Sequence, residues 1–182
     1  MGHRLSKIYT RTGDAGTTGL GDGSRTTKDA LRVVAMGDVD EANSVIGLLL
    51  CEALPTETAA LLTDIQHDLF DLGGELSIPG SNLLTTDRPG HLEQAIDHYN
   101  EALSPLKEFI LPGGCRPSAL AHLARSISRR AERSIVHLGH QEPVSDVARE
   151  YITRLSDLLF VLARWFNLTS GNGDVLWNRK RG

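Results

Sequence analysis

Apolar residues recur at helical spacing along most of the chain, in stretches separated by proline and glycine. A first helix is expected from Asp29 to Leu54, where Pro55 ends it. The second helix carries apolar residues at alternating intervals of three and four, at Leu62, Ile65, Leu69, Leu72 and Leu76. This narrow stripe is typical of helices that pack along their length.

Three more helices follow, each after a break. The third opens near Pro89 and carries Leu92, Ile96, Tyr99 and Leu103. Leu111-Pro112-Gly113-Gly114 interrupts helical structure, and Ser118 is expected to be the N-cap of the fourth helix. That helix carries Leu120, Leu123, Ile127, Ala131 and Ile135 and ends at Gly139. Pro143 and Ser145 open the fifth, which carries Ala148, Ile152, Leu155, Leu159, Leu162 and Phe166.

Strand signals are nearly absent, and only residues 7–10 are expected to pair briefly. Helices that each carry an apolar stripe and are joined by short connections predict an all-α fold, a five-helix antiparallel up-and-down bundle. The length of 182 residues fits a single domain over residues 1–182.

Composition narrows the classes of function. With 40% hydrophobic and 23% charged residues, the chain is an ordinary globular one, and its net charge of −4 argues against a general nucleic-acid binder. The longest apolar run, residues 45–51, is too short to span a membrane, and residues 1–7 lack the apolar core of an export signal. Cys51 and Cys115 could pair, but free thiols are favoured. A cytoplasmic protein is expected.

Residues 8–25 hold five glycines, four threonines and two arginines ahead of the first helix, and we call them the Gly/Thr segment. Residues 10–19 offer successive backbone N–H groups and hydroxyls, which can form a concavity that binds phosphate oxygens. The order of residues is not that of a P-loop. A flexible tail is the common alternative for such a segment.

Arg125, Arg129 and Arg133 are spaced four residues apart, so they share one face of the fourth helix; we call them the arginine stripe. Like charges at this spacing cost about 0.2–0.5 kcal/mol per pair. The stripe is either a solvated basic face or a surface that binds phosphates or carboxylates. Together with the Gly/Thr segment and Lys28, it resembles two halves of a polyphosphate clamp.

The acidic residues of the first helix and the histidines are the side chains that could bind a metal ion. Asp38, Asp40 and Glu41 lie within the first helix and are candidate partners for the arginines, or for a magnesium ion that a nucleotide carries. The seven histidines show no zinc-binding spacing, and no resident metal is expected.

Five stretches occur in order over most of the chain: IYTRTGDAGTTGL, GDVDEANSVIG, KEFILPGG, ARSISRRAER and RLSDLLFVLAR. In them the chain resembles the ATP:cob(I)alamin adenosyltransferases of the PduO type. The resemblance implies a homotrimer with ATP at each subunit interface. It also implies transfer of the 5′-deoxyadenosyl group of ATP, with Mg²⁺, to the cobalt of reduced cobalamin, which gives adenosylcobalamin and tripolyphosphate. A flavoprotein corrinoid reductase and an adenosylcobalamin-dependent enzyme are the implied partners.

The resemblance also implies site residues by their positions in these motifs. The residues that would contact ATP are Thr10, Arg11, Thr12, Gly13, Thr18, Gly19, Lys28, Arg129, Arg130, Glu132 and Arg133. Thr153 stands where the family usually has the asparagine of N-R-L-S-D, and it can keep one hydrogen bond to the nucleotide. Asp40 would pair with Arg129 and support the interface.

Two residues have implied catalytic roles. Arg133 would stabilise the leaving triphosphate, and Phe109 would displace the lower ligand of the corrinoid, with Phe160 in the same pocket. By its position beside a Pro-Gly-Gly break alone, Phe109 is most simply a core residue.

Two other classes of function are alternatives to an enzyme. A regulatory trimer would sense ATP or corrinoid without turning either over, but the presence of Phe109 and Arg133 favours the enzyme. A purely structural bundle leaves the Gly/Thr segment and the arginine stripe unexplained.

Overall fold

The computed structural model describes residues 8–180, which form five helices preceded by a small hairpin. The helices are α1 (Leu31–Leu50), α2 (Thr56–Ser77), α3 (Arg88–Asn100), α4 (Arg116–Gly139) and α5 (Asp146–Thr169). In the hairpin, β1 (Thr17–Gly19) pairs antiparallel with β2 (Arg25–Thr27). The predicted five-helix class is confirmed, since the hairpin adds only two three-residue strands. None of the helices described is long and apolar enough to cross a membrane.

The helices alternate in direction along the chain. At the start of α1, Arg32 Nη1 donates to the carbonyl of Leu76 at the end of α2, so the two helices are antiparallel. α1 and α5 also pack on α4, and α3 packs on α5. The α3 and α5 helices run in the same direction, because Glu93 binds Arg154 and Tyr99 contacts Trp165 further along both. These contacts make an up-and-down bundle.

The core lies where the apolar stripes meet. Every predicted stripe residue of α2 and α5 is buried. In α4 the stripe differs from the prediction, because Leu123 is 46% exposed while Ala121 and Ala124 are fully buried. Alanine lets two helix backbones approach closely, so α4 turns these positions inward and Leu123 outward. The prediction for Leu123 was therefore wrong.

Several predicted boundaries need correction. α1 ends at Leu50 rather than Leu54, because Cys51 begins a turn closed by its N–H on the carbonyl of Leu48. α3 ends at Asn100, which leaves Leu103 in the following turn.

Of the two predicted helix caps, one is confirmed and one is wrong. Ser145 is the N-cap of α5, as predicted, and its hydroxyl accepts from the N–H of Ala148 at 3.0 Å. Ser118 is not a cap, because α4 already begins at Arg116, after Cys115. The Ser118 hydroxyl instead donates to the carbonyl of Gly113 at 2.9 Å.

The predicted strand was misplaced. Residues 8–10 form no strand, and Lys7 lies outside the described residues. The pairing occurs at β1 and β2, since the turn between them supplies Gly23 at φ 89° and Asp22, whose carboxylate accepts from the N–H of Ser24 at 2.8 Å. Antiparallel strands need such a turn.

A buried polar cluster joins three helices. Asp68 on α2 accepts from Arg88 Nε of α3 at 2.9 Å and from the hydroxyl of Tyr151 of α5 at 2.8 Å. Burial, and then the negative charge of Asp68, raise the pKa of Tyr151 well above its ordinary value. Tyr151 therefore stays a neutral donor that fixes α5 against α2.

Candidate functional site

The Gly/Thr segment is a folded loop. Arg25 Nη2 donates to the carbonyl of Thr12 at 2.8 Å and to the hydroxyl of Thr17 at 2.6 Å. The N–H of Lys28 donates to the carbonyl of Gly16 at 2.9 Å. These bonds close the segment on itself, which excludes the flexible-tail alternative. Arg25 was not singled out from the sequence, because its partners are fixed only by the hairpin.

The loop is anchored to the end of α2. The N–H of Gly21 donates to the carbonyl of Ser77 at 2.8 Å. A Cβ atom at Gly21 would lie 2.6 Å from both Ser77 Oγ and Ile78 Cγ1, so only glycine permits this approach. Leu20 beside it is buried.

Several predicted ATP contacts lie together on this loop. The hydroxyls of Thr10 and Thr12 are 2.8 Å apart. A Cβ atom at Gly13 would lie 3.2 Å from Lys28 Nζ, so the ammonium group sits against the backbone of Gly13. Arg11 adopts φ 61° with its guanidinium over the ring of Tyr9. Thr18 and Gly19 lie in β1.

The arginine stripe carries uncompensated charge. Among residues 8–180, no carboxylate lies within ion-pair distance of Arg125, Arg129 or Arg133. Arg133 Nη1 donates only to the backbone carbonyl of Arg129, at 2.9 Å. Burial, and then the charge of Arg129, lower the pKa of Arg125. The stripe is therefore a surface suited to an anion.

Arg130 differs from the stripe. It faces α1, where it binds the carboxylate of Asp38 at 3.1 Å and that of Glu41. Glu132 accepts from the hydroxyl of Thr153 at 2.7 Å, so these two predicted site residues contact each other across α4 and α5. ATP contacts by Arg130, Glu132 and Thr153 stay predictions.

A cavity of about 480 Å³ opens where the loop of residues 106–112 meets α4 and α5. Phe109, His122, Arg125 and Phe160 line it. Phe109 is 76% exposed and meets Trp177 edge to face, at 6.4 Å between ring centroids. The core interpretation of Phe109 is therefore wrong, and its ring forms part of a pocket wall.

The end of α5 holds this loop in place. Asn167 Nδ2 donates to the carbonyl of Gly113 at 3.1 Å, and its Oδ1 accepts from the N–H of Cys115 at 3.0 Å. Gly114 adopts φ 104°, and a Cβ atom there would lie 2.0 Å from Asn167 Oδ1. Asn167 was not predicted from the sequence. The only sign of it there is that it is a polar residue directly after Phe166 of the apolar stripe of α5.

The segment after α5 pairs with the same loop. The N–H of Trp177 donates to the carbonyl of Phe109 at 2.7 Å, and the N–H of Leu111 donates to that of Val175 at 2.8 Å. The backbone of Phe109 is therefore fixed while its ring faces the cavity.

The cavities along α4 are contiguous. A second cavity, of about 210 Å³, shares Arg125 and Phe160 with the first and continues to Arg129. A third, of about 410 Å³, is lined by Arg129 and Arg133. An apolar pocket thus leads along one helix to uncompensated positive charge.

A further groove, of about 520 Å³, runs between α1 and α2. Asp40, Gly37, Gly73 and Gly74 line it, as does Phe70, which is 72% exposed. Asp40 has no ion-pair partner within residues 8–180. It is therefore available to a positive group from outside the chain.

No hydrogen bond joins the Gly/Thr segment to the arginine stripe within the part of the chain that the structure describes. In the part of the chain described, the hydrogen bonds of residues 8–28 stay within residues 8–30 or reach the end of α2, and none reaches α4.

Known proteins resemble this chain over most of its length. A family model described as cobalamin adenosyltransferase matches residues 8–166. The chain is 62% identical to a cobalamin adenosyltransferase of Cupriavidus metallidurans over 100% of this chain and 99% of that protein. It is 48% identical to a corrinoid adenosyltransferase of Bacillus subtilis, over 95% and 93% of the two chains.

A solved structure shares the fold. It is a variant PduO-type ATP:corrinoid adenosyltransferase from Lactobacillus reuteri complexed with cobalamin and ATP, and it matches with a TM-score of 0.91 and 35% identity over 95% of this chain and 100% of that one. The chain therefore belongs to the cobalamin adenosyltransferase family, with the fold of its PduO-type members.

Proposed function

We propose that this protein transfers the 5′-deoxyadenosyl group of ATP to the cobalt of a reduced corrinoid. The cobalt–carbon bond forms at C5′ while the C5′–oxygen bond breaks, and the electron pair leaves on tripolyphosphate. The observation that carries the proposal is the continuity of the Phe109 cavity with the arginine stripe. One end of this surface suits a flat apolar ring system, and the other suits a polyphosphate.

The stripe would act on the leaving group. Negative charge grows on the triphosphate as the bond breaks, and the guanidinium group of Arg133 has no competing carboxylate among residues 8–180. The Gly/Thr loop adds hydroxyls from Thr10 and Thr12 and the ammonium of Lys28. No general base is needed, because no proton moves in the transfer.

Phe109 and Phe160 would shape the corrinoid face. Both rings line the cavity, and the ring of Phe109 projects into solvent from a backbone held by Trp177. An apolar ring beside the cobalt excludes water and the lower base, which makes the cobalt easier to reduce. The reduced cobalt is the nucleophile, so the difficult chemistry belongs to the corrinoid and the protein supplies geometry.

Magnesium would arrive with the nucleotide. Within the described residues no group of three or more His, Cys, Asp or Glu could hold a metal ion. Asp38 and Glu41 bind Arg130, so they do not fit as its ligands. Phosphates and water commonly supply most of the ligands of Mg²⁺, and we assign it no ligands from this chain.

We propose further that the active form is a homotrimer. The clamp needs the Gly/Thr loop of one copy and the stripe of another, which are different surfaces of the same chain. Contact between unlike surfaces is heterologous, and it forms a ring when the rotation between neighbouring copies closes. The groove of Asp40 and Phe70 would receive α4 of the neighbour, with Asp40 paired to its Arg129. A trimer is what the family resemblance implies.

The remaining assignments follow from the reaction. Residues 1–182 would act as one catalytic domain. A flavoprotein reductase would supply the reduced corrinoid, and an adenosylcobalamin-dependent enzyme would take the product. The use of ATP and the unpaired thiols of Cys51 and Cys115 support a cytoplasmic location.

The test is direct. Purified protein is mixed without oxygen with ATP, Mg²⁺ and chemically reduced cobalamin, and adenosylcobalamin and tripolyphosphate are measured. Equal amounts of the two products are expected, and none without ATP. A protein that binds both substrates and forms no product would instead be the regulatory trimer.

A further inference from the structure

His122 on α4 is a buried residue that the transfer mechanism above does not use. Its side chain is buried, with 4% of the residue exposed, yet it lines the cavity that contains Phe109 and Phe160. Neither ring nitrogen has a hydrogen-bond partner among residues 8–180. Buried polar groups are nearly always paired in folded proteins, so this exception calls for a cause.

The imidazole is held neutral. Burial, and then the positive charge of Arg125, lower the pKa of His122, while Asp174 opposes them more weakly. A neutral imidazole has one N–H donor and one lone-pair acceptor. Leaving both unpaired is unfavourable to the free protein. Its contact with the edge of Phe160, at 6.1 Å between ring centroids, could be made equally well by a phenyl ring.

We propose that His122 is a corrinoid-binding residue whose imidazole hydrogen-bonds to a carboxamide on the rim of the corrinoid ring. The inference rests on the proposed function. A primary carboxamide carries both a carbonyl acceptor and N–H donors, so it can satisfy either nitrogen of the imidazole in either tautomer. Carboxamides surround the corrinoid ring, whereas a triphosphate offers acceptors alone and suits the arginines instead.

The test compares His122→Phe with the wild type and with His98→Phe, a control on an exposed histidine of α3. Initial rates are measured against reduced cobalamin and separately against ATP. For His122→Phe we expect the KM for cobalamin to rise about three- to tenfold, the loss of one hydrogen bond that leaves a partner unpaired. The KM for ATP should not change, and the thermal midpoint should stay the same or rise because two unpaired polar atoms are gone.

A second variant tests the chemistry of the contact. His122→Asn keeps a donor and an acceptor, so it should recover part of the cobalamin affinity that His122→Phe loses. His98→Phe should match the wild type throughout.

Each other outcome overturns the inference. An unchanged cobalamin KM in His122→Phe removes the contact, and a large fall in its thermal midpoint, or failure to fold, makes His122 a structural residue. Equal cobalamin KM values for the phenylalanine and asparagine variants exclude the hydrogen bond. The proposed function is judged separately, since it fails only if the wild type forms no adenosylcobalamin.

Discussion

Replacing Phe109 by alanine distinguishes a pocket wall from a core anchor. A fully buried Phe→Ala change costs about 3–5 kcal/mol in stability. Phe109 is 76% exposed, so only about a quarter of that burial is lost, or about 1 kcal/mol. The edge contact with Trp177 adds about 0.5 kcal/mol at an exposed site. For a domain of this size, the expected fall in thermal midpoint is roughly 3–6 °C.

A matched control makes the comparison quantitative. Phe166→Ala is the same change at a residue that is 4% exposed, and it should lose the full 3–5 kcal/mol. Phe109→Ala should remain folded and bind ATP, but lose most activity with cobalamin. Activity should return in part with cobinamide, which has no lower base to displace.

The assay for the mechanism is the visible spectrum of bound cob(II)alamin in the presence of ATP. In Phe109→Ala the signal of four-coordinate cobalt should disappear. An unchanged four-coordinate signal, or a midpoint as low as that of Phe166→Ala, would refute the role assigned to Phe109.

Three further predictions follow from the same geometry. Arg133→Ala should lower kcat about 10²–10³-fold, because a donor to the leaving group is lost, and it should change the KM for ATP less. A variant with the same kcat as the wild type at saturating ATP would exclude a role of Arg133 at the leaving group. Arg129→Ala should weaken assembly or ATP binding, because the proposed trimer would bury the Asp40–Arg129 pair and stranding one partner of a buried pair costs about 3–5 kcal/mol. Sedimentation velocity measures the trimer, and a fully active wild-type monomer contradicts the assembly. Gly114→Ala should lower stability by about 1–3 kcal/mol from its backbone conformation alone, and the overlap of its Cβ atom with Asn167 should lower it further. Gly90→Ala is the control, because a Cβ atom at Gly90 meets nothing within 4 Å and should not destabilise the protein. Equal thermal midpoints for the two variants would contradict this prediction.

Periodic features of this fold were predictable from sequence. The stripes of α2 and α5 repeat over several turns, so an error at one position does not change the face that packs. Helix ends were less predictable, because α1 stops at Leu50 through a local turn, before Pro55 requires it. Leu123 failed because burial in α4 is decided by neighbouring helices, which favour its small alanines.

The site was predictable where it lies on a regular helix. The spacing of the arginine stripe placed three guanidinium groups on one face, and the same spacing places Arg130 about 100° away from Arg129, toward α1 and Asp38. Asn167 and His122 could not be identified this way. Their roles depend on Gly113 and on a cavity, and both are formed by residues distant in sequence.

The arginine stripe also couples the stability of the fold to the binding of its substrate. Repulsion among its charges opposes folding of the free protein by up to a few tenths of a kcal/mol per pair, and an anion bound there removes it. A ligand at 100 times its Kd adds about 2.7 kcal/mol to the stability of the state that binds it. The supply of nucleotide would then change the free energy of unfolding as well as the rate of turnover. Neutral replacement of Arg133, for which no ion-pair partner is proposed, should give a protein that resists heat better without ATP and does little chemistry, so stability and activity place opposite demands on this position.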